Sequence, residues 1–392
     1  MPRRQSKRKR YINPTSIAVA VASGVGALLL VGLVAYQAAL RPVSRDTKAR
    51  LVHVESMGTK QLAAKLKHEG LVRNATAFRL LVQTTMALQK CKPPQAGYYD
   101  LSPSMSSEEI LTRLCEGKVA RRKITFPEGF TVAQMAERVE RELDIPAREF
   151  LGAARGANVS RALEYPLPRG LLEGYLFPST FTFDVGQKPE LIVSEMAAAL
   201  DGVFVKPNLA EIRRGKLSVH ELITLASLVE REARVGRERP LIAGVIVNRL
   251  AKGMRLQIDA TVQYALGKHK ARLLYKDLKV NSPYNTYLHA GLPPGPICNP
   301  GLECLMAALR PAKTDKLFYV ARPDGTHVFS KTYEEHLQAI KRVRGGDNPP
   351  PPLLPSSGGP QPDQPPMYLP ANPPAGEPTQ QPEPKGPYIP VR

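Results

Sequence analysis

Hydrophobic residues change their spacing several times along the 392-residue chain, and each change marks an element. From Ile17 to Ala35 they run almost unbroken inside an uncharged stretch, Tyr11 to Leu40, which Arg41 closes. A helix needs about 20 such residues to cross the hydrocarbon core of a membrane. The polar segment 41–50 reads as a juxtamembrane linker. Leu62 and Leu66 then recur at helical spacing between Thr59 and Glu69, with Gly70 as a stop. Thr76 to Leu88 predicts a second helix and Gly97 to Leu101 a short strand. Ser106-Ser107-Glu108-Glu109 opens a helix that Gly117 ends. Val119 to Phe126 alternates as a strand and meets a turn at Pro127-Glu128-Gly129. Helices follow, starting with Thr131 to Leu143, and residues 217–342 alternate helical segments with Pro/Gly-rich loops. Beyond residue 348 lie 17 of the 38 prolines and few large apolar groups, so that stretch has too little to bury and is expected to be disordered or PPII-like.

The expected class is therefore α+β. It comprises a basic cytoplasmic head (1–10), a single N-terminal transmembrane anchor (11–40), a small α+β subdomain (50–126), a larger α+β domain (127–342) and a disordered Pro-rich tail (343–392).

Composition narrows the class. A hydrophobic content of 43% excludes a wholly disordered chain, and a mean hydropathy of −0.24 excludes a polytopic membrane protein. Net charge is +20, and six cations without an acid fall in the first ten residues. A signal peptide has the same order of regions, but its apolar part is only about 7–15 residues. Here it is longer, and Ala38-Ala39-Leu40 makes a poor cleavage site. The reading is an uncleaved anchor with its basic head in the cytoplasm, and with everything after residue 40 extracytoplasmic. A basic surface placed there has no nucleic acid to meet. Anionic glycan, wall polymer or lipid headgroups are the partners left, or the excess cations serve solubility alone. An oxidising compartment would permit two local bridges, Cys91–Cys115 and Cys298–Cys304; four buried thiols are the alternative. The seven histidines show no metal-ligand spacing, and no phosphate-cradling or nucleophile-elbow motif occurs, so neither metal nor cofactor is expected.

The clearest local signal is Leu217-Ser218-Val219-His220-Glu221-Leu222. Ser218 and Glu221 form a capping box, and Leu217 with Leu222 a hydrophobic staple. The predicted helix continues to Arg234, with its apolar stripe centred near Leu222, Val229 and Ala233 and Gly236 as its stop. Glu230 and Glu232 flank that stripe on opposite sides, so the wheel alone does not choose between them. Their neighbours three and four residues away differ. Glu230 faces Ala226, Ser227, Ala233 and Arg234, whose cation holds a carboxyl ionised. Glu232 faces Leu228, Val229, Val235 and Gly236, where desolvation raises a carboxyl's pKa. Glu232 is the better candidate general acid and Glu230 the alternative.

Downstream, Ile246-Val247-Asn248-Arg249-Leu250 embeds an Asn-Arg pair in an apolar helix. Leu256-Gln257-Ile258-Asp259 and Asn281-Ser282-Pro283-Tyr284-Asn285-Thr286-Tyr287 are polar, and Gly291-Leu292-Pro293-Pro294-Gly295-Pro296-Ile297 is a rigid turn. Loops bearing Asn, Gln, Thr and Tyr suit a polyhydroxylated ligand. In a chain without Trp, stacking on sugar falls to Tyr264, Tyr284 and Tyr287. Packing of these loops is an equal use for the same residues.

At these residues the sequence resembles the MltG (YceG-like) family of endolytic murein transglycosylases. The matching run is Leu225-Ala226-Ser227-Leu228-Val229-Glu230-Arg231-Glu232, Asn248-Arg249-Leu250, Met254-Arg255-Leu256-Gln257-Ile258-Asp259, Tyr284-Asn285-Thr286-Tyr287 and the 291–297 turn. Weaker matches are Glu173-Gly174-Tyr175-Leu176-Phe177-Pro178, Gly97-Tyr98-Tyr99 and Pro127-Glu128-Gly129. The resemblance covers about residues 50–342, and it departs from the family at Ala260 and Ser179, where Pro and Asp are usual. It implies a single-pass protein of the bacterial inner (plasma) membrane, with a LysM-like subdomain followed by a catalytic domain outside the cytoplasm. It implies peptidoglycan glycan strands as substrate and association with peptidoglycan synthases. Cleavage falls between N-acetylmuramic acid and N-acetylglucosamine and leaves 1,6-anhydro ends, with Glu232 as the catalytic residue. Gln257, Asp259, Tyr284, Asn285 and Tyr287 are the candidate substrate-binding residues. Two readings stand beside this one: a non-catalytic wall-binding protein, and a hydrolytic muramidase in which Asp259 supplies the second carboxylate that hydrolysis needs.

Overall fold

A computed structural model describes residues 14–155, 163, 165, 170–268, 270 and 272–344. The basic head at 1–10 lies outside the described residues, as does the Pro-rich tail beyond residue 344. The chain is mixed α and β, with two-stranded sheets only among the described residues. It divides into two compact units. One holds the residues up to Arg122 together with Asp184–Gly186, and the other holds Lys123–Phe183 and the residues from Gln187 on.

The first unit begins with α1 (Pro14–Leu40), whose 27 residues rise about 40 Å. It is the one helix among the described residues long and apolar enough to cross a membrane. A hydrocarbon core of about 30 Å is shorter than α1, and its last residue, Leu40, is buried against the unit. The segment expected as a linker is tied down. Arg73 Nε donates to the Pro42 carbonyl at 2.8 Å, and the Ser44 N–H donates to that of Pro103 at 3.1 Å. Next come β1 (Arg50–Val54), α2 (Thr59–His68), α3 (Ala75–Ala87) and β2 (Gly97–Leu101). The two strands pair antiparallel, from Arg50 opposite Leu101 to Val54 opposite Gly97. Alternation puts Val52, Val54, Tyr99 and Leu101 on one face, against Leu62 and Leu66 of α2 and Phe78 and Val82 of α3. Asn74 Oδ1 caps α3 through the amides of Thr76 and Ala77. Helix α4 (Ser107–Cys115) opens with the Ser106/Glu109 capping box and adds Ile110 and Leu114 to the same core. A Cys91–Cys115 disulfide ties its end to the segment after α3.

The strands β3 (Arg121–Thr125) and β4 (Thr180–Asp184) pair with each other, and the division between units falls within them. In the second unit, α5 (Val132–Leu143) starts at a Thr131/Gln134 capping box, and α6 (Ala147–Ala153) follows. After β4, α7 (Pro189–Leu200) passes through a π turn, Asp201–Val205, into α8 (Lys206–Arg214). Then come α9 (Val219–Glu232), α10 (Arg239–Ala251), α11 (Asp259–Leu266) and α12 (Leu302–Leu309). A hairpin of β5 (Phe318–Ala321) and β6 (His327–Ser330) and the helix α13 (Tyr333–Arg344) complete the unit. The last helix takes in residues 343 and 344, at the start of the expected tail.

The Ser218/Glu221 capping box forms as its residues dictate, with Ser218 Oγ accepting from the Glu221 amide and the Glu221 carboxylate from that of Ser218. The expected one-sided stripe does not hold. All eight residues from Leu222 to Val229 are buried, because α10, α11 and α12 enclose the helix. Its polar members answer their own backbone: Thr224 Oγ1 donates to the His220 carbonyl, and Ser227 Oγ to that of Thr224. Of the two bridges that the sequence left open against buried thiols, Cys91–Cys115 forms and Cys298–Cys304 does not. Both thiols are free and buried: Cys298 Sγ faces the Ser227 carbonyl, while Cys304 sits beside Glu230.

Candidate active site

The helix α9 stops at Glu232, two residues before the predicted Arg234, because Ala233 turns extended at φ −77°, ψ 117°. That early stop changes the neighbours of both glutamates. Arg234 no longer stacks one turn below Glu230. Instead Glu230 Oε2 accepts the Gly301 amide at 2.9 Å and so caps the N-terminus of α12. Glu128 of the Pro127-Glu128-Gly129 turn reaches the same end, where a Cβ on Gly301 would collide with its carboxyl. Repulsion from Glu230 adds to burial in raising the Glu128 pKa.

Glu232 faces the other way. Its carboxyl is enclosed by packed atoms while the residue keeps an opening to solvent. Tyr319 of β5 donates to Glu232 Oε2 at 3.0 Å. Burial comes first among the causes that push its pKa to about 7, and the negative charge of Asp259 comes second. The Tyr319 hydrogen bond and the cations Arg231 and Arg249 pull it down without overcoming them. Leu228 and Val229 do line the helix beside Glu232, as the sequence indicates. The groups that set its charge come from distant segments: Asp259 begins α11, and Tyr287 of the 281–287 loop donates to Asp259 Oδ1.

Arg249 supports this end of the unit from below. It is fully buried on α10 and donates from Nε to the Leu317 carbonyl at 2.6 Å and from Nη1 to that of Leu256 at 2.9 Å. Its neighbour Asn248 donates to the carbonyls of Thr314 and Lys316. The Asn-Arg pair thus fastens the approach to β5 and the loop before α11. Burial lowers the guanidinium pKa to about 10.

The other candidates separate into two groups. Gln257 is buried with φ 52°, a left-handed conformation uncommon for a side-chain-bearing residue. Its amide bonds the Thr286 carbonyl, and Thr286 Oγ1 accepts the Ile258 amide, so the Gln257–Asp259 and 284–287 segments are locked together. Asn285 is fully buried. Its amide donates to the Leu278 and Val280 carbonyls while Oδ1 accepts the Tyr287 amide. It holds the loop from inside, and its side chain is closed off from solvent. Tyr287 is likewise buried, with its hydroxyl on Asp259, and has no face open for stacking on sugar.

Tyr264 and Tyr284 are partly exposed, and their rings meet at 4.9 Å between centroids. A Cβ on Gly295 would lie 3.3 Å from Tyr284 Oη and 3.4 Å from His220 Cε1. This pair therefore belongs to the start of α9, and twelve residues of helix, about 18 Å, separate His220 from Glu232. His220 itself is fixed between Tyr175 Oη at 2.7 Å and the Pro294 carbonyl at 2.8 Å.

Two features escaped the sequence reading. Tyr319 lies 87 positions beyond Glu232 in a strand with no motif around it. Glu173 is the second. It is buried and accepts from the Val132 amide at 3.0 Å and from Asn299 Nδ2 at 3.1 Å, with Tyr264 Oη at 3.5 Å. Burial outweighs these donors and pushes its pKa to about 8. Gly174 follows with φ +86°, and a Cβ there would meet Pro296 at 2.4 Å, so only Gly lets this segment lie against the 291–297 turn. The Glu-Gly motif carried that signal.

A sequence model described as the YceG-like family matches residues 52–342, and the chain belongs to that family. A protein of Bacillus subtilis named endolytic murein transglycosylase is 36% identical over 325 residues, covering 79% of this chain and 89% of its own. A protein of the same name from Streptococcus pneumoniae is 32% identical, covering 72% of this chain and 56% of its own. A crystal structure of a yceG-like protein from Listeria monocytogenes, 36% identical, superposes with a TM-score of 0.51 over 74% of this chain and 98% of that one.

Proposed function

We propose that the chain is a membrane-anchored endolytic murein transglycosylase with Glu232 as its acid/base. The observation that carries this reading is a half-open glutamate at the end of a buried helix, holding its proton to about pH 7. Family membership and the shared name of the relatives supply the substrate: glycan strands of peptidoglycan. Protonated Glu232 donates to the glycosidic oxygen between N-acetylmuramic acid and N-acetylglucosamine as an oxocarbenium-like centre forms. The carboxylate left behind takes the proton of the muramic acid C6 hydroxyl, which attacks C1 and closes a 1,6-anhydro ring. An internal nucleophile removes the need for a second carboxylate as base. Tyr264 and Tyr284, toward the other end of α9, offer ring faces to sugars further along the strand.

The membrane part of the proposal rests on α1, with the N-terminus in the cytoplasm and the residues after α1 outside it. The β1-α2-α3-β2 order of the first unit, with its antiparallel pair, supports the LysM-like assignment and a glycan-binding role.

The test is mass spectrometry of peptidoglycan digested by wild-type protein and by the Glu232→Gln variant. Anhydro-muramyl ends from wild type alone are expected. Asp259 beside Glu232 favours hydrolysis as the second reading, and reducing ends would establish it. Intact strands with well-folded protein would leave a binding protein.

A further inference from the structure

The charge of Arg249 exceeds what its structural duties require. The side chain is fully buried, and its hydrogen bonds go to the neutral carbonyls of Leu317, Leu256 and Arg255. Its Nη2 has no partner among the described residues. The guanidinium lies 5.0 Å over the Phe318 ring, and among the described residues no carboxylate bonds it. A neutral amide could satisfy a carbonyl. Burying a cation without a paired anion is costly, and such a cost persists where the charge has a use. The ionisable groups in its field are Glu232, Tyr287 and Tyr319.

Tyr319 stands next to Phe318 on β5, and its own orientation is set from behind. Its ring meets His327 edge-on at 5.3 Å, and His327 Nδ1 is bonded to Glu238 Oε2 at 2.7 Å. The hydroxyl therefore reaches Glu232 Oε2 from a fixed frame. With Oε2 accepting from Tyr319, the proton of the neutral acid belongs on Oε1.

We infer that Tyr319 and Arg249 are positioning residues for the acid/base: Tyr319 fixes which carboxyl oxygen gives and retakes the proton, and the buried charge of Arg249 stabilises the carboxylate that exists between the two transfers. This rests on the reading in which Glu232 is the acid/base. Charged and titratable groups face Glu232 from each element around it: Arg231 on α9, Arg249 on α10, Asp259 on α11, Tyr287 on the 281–287 loop and Tyr319 on β5. Asp259 and burial favour the protonated acid that must donate first. Arg249 and Tyr319 favour the carboxylate that must then act as base. An acid that is also the base works best when the two sides nearly balance around the operating pH.

The experiment is a pH–rate profile on peptidoglycan for the full-length protein and three variants: Tyr319→Phe, Arg249→Gln and Arg249→Lys. Tyr319→Phe keeps the ring against His327 and removes only the hydroxyl. Its alkaline limb should move up by at least half a pH unit, because the carboxylate has lost a donor, and turnover at the optimum should fall at least tenfold with KM little changed. Arg249→Gln should move the limb the same way, while Arg249→Lys, which keeps the charge, should leave it near the wild-type position. A uniform loss of rate with wild-type limbs in Tyr319→Phe and Arg249→Gln would overturn the inference and leave both residues purely structural. If Arg249→Gln does not fold, Tyr319→Phe alone decides. Full activity in Glu232→Gln would instead remove the underlying acid/base assignment, an outcome separate from those above.

Discussion

Glu230 and Glu232 are two positions apart on one helix and answer to different parts of the molecule. Glu230 Oε2 holds the amide at the start of α12, whereas Glu232 meets Tyr319 and the field of Asp259. Substituting Glu232 by Gln should cut anhydro-product formation by about 10²-fold or more, the scale of general acid–base catalysis, with an unchanged melting temperature. Replacing Glu230 by Ala should remove a helix cap worth about 1 kcal/mol, lowering the melting temperature while the pH–rate profile keeps its shape. The reverse pattern in product analysis and thermal melts would exchange the two roles. The pH profile has a defined sign. Donation needs the protonated acid, so with Glu232 titrating near 7 turnover should fall as pH rises through that value, and a profile flat to pH 9 would contradict it. The raised pKa of Glu232 was legible from Leu228 and Val229 one turn back. The neighbour expected beside Glu230 was not legible, since the helix ends before Arg234 can approach it.

Among elements, α5, α11 and the 299–301 turn meet at one buried carboxyl, Glu173. Its folded pKa of about 8 lies above the ordinary carboxylate value of 4.5. A group raised in this way contributes stability that is fully present below the unfolded value and lost as pH rises through the folded one. The Glu173→Gln variant should therefore gain on wild type in melting temperature between pH 5 and pH 8.5, and a constant gap across that range would refute the assignment. In the first unit the element that matters is the bridge from Cys91 to Cys115. Closing a loop across a sequence separation of 24 is worth about 3 kcal/mol in the unfolded-chain model. Reducing agent should thus lower the first unit's unfolding midpoint. The second unit's free, buried cysteines give it no such response. Denaturant melts followed by hydrogen exchange would separate the two units. Helix starts were readable in advance, because capping boxes such as Ser106/Glu109 and Ser218/Glu221 are local chemistry. The stop at Glu232 and the β5–β6 hairpin were not, because neighbours distant in sequence decide them.

For the whole molecule, α1 and the segment after it are the distinguishing feature. Leu40 is buried, and Arg73 grips the Pro42 carbonyl, so the chain leaves the helix already attached to the first unit. The full-length protein should stay with membranes through alkaline carbonate extraction, and a chain starting at residue 41 should be released into the soluble fraction. Release of the full-length protein would mark α1 as something other than an anchor. The length and uncharged character of α1, the composition break after Gly345, the capped helices and the ordered run of motifs from 225 to 297 are properties of the sequence alone, because each depends on residues within a turn or two of one another. Which carboxyl carries the proton was open to argument from local neighbours. Its surroundings were not: Tyr319, Arg249 and Asp259 come together from three separate elements. Tertiary structure also turned Asn285 and Tyr287 inward and left Cys298 and Cys304 as separate thiols. A side chain's accessibility and charge state depend on what packs over it, and in this chain the packing partners lie far away in sequence.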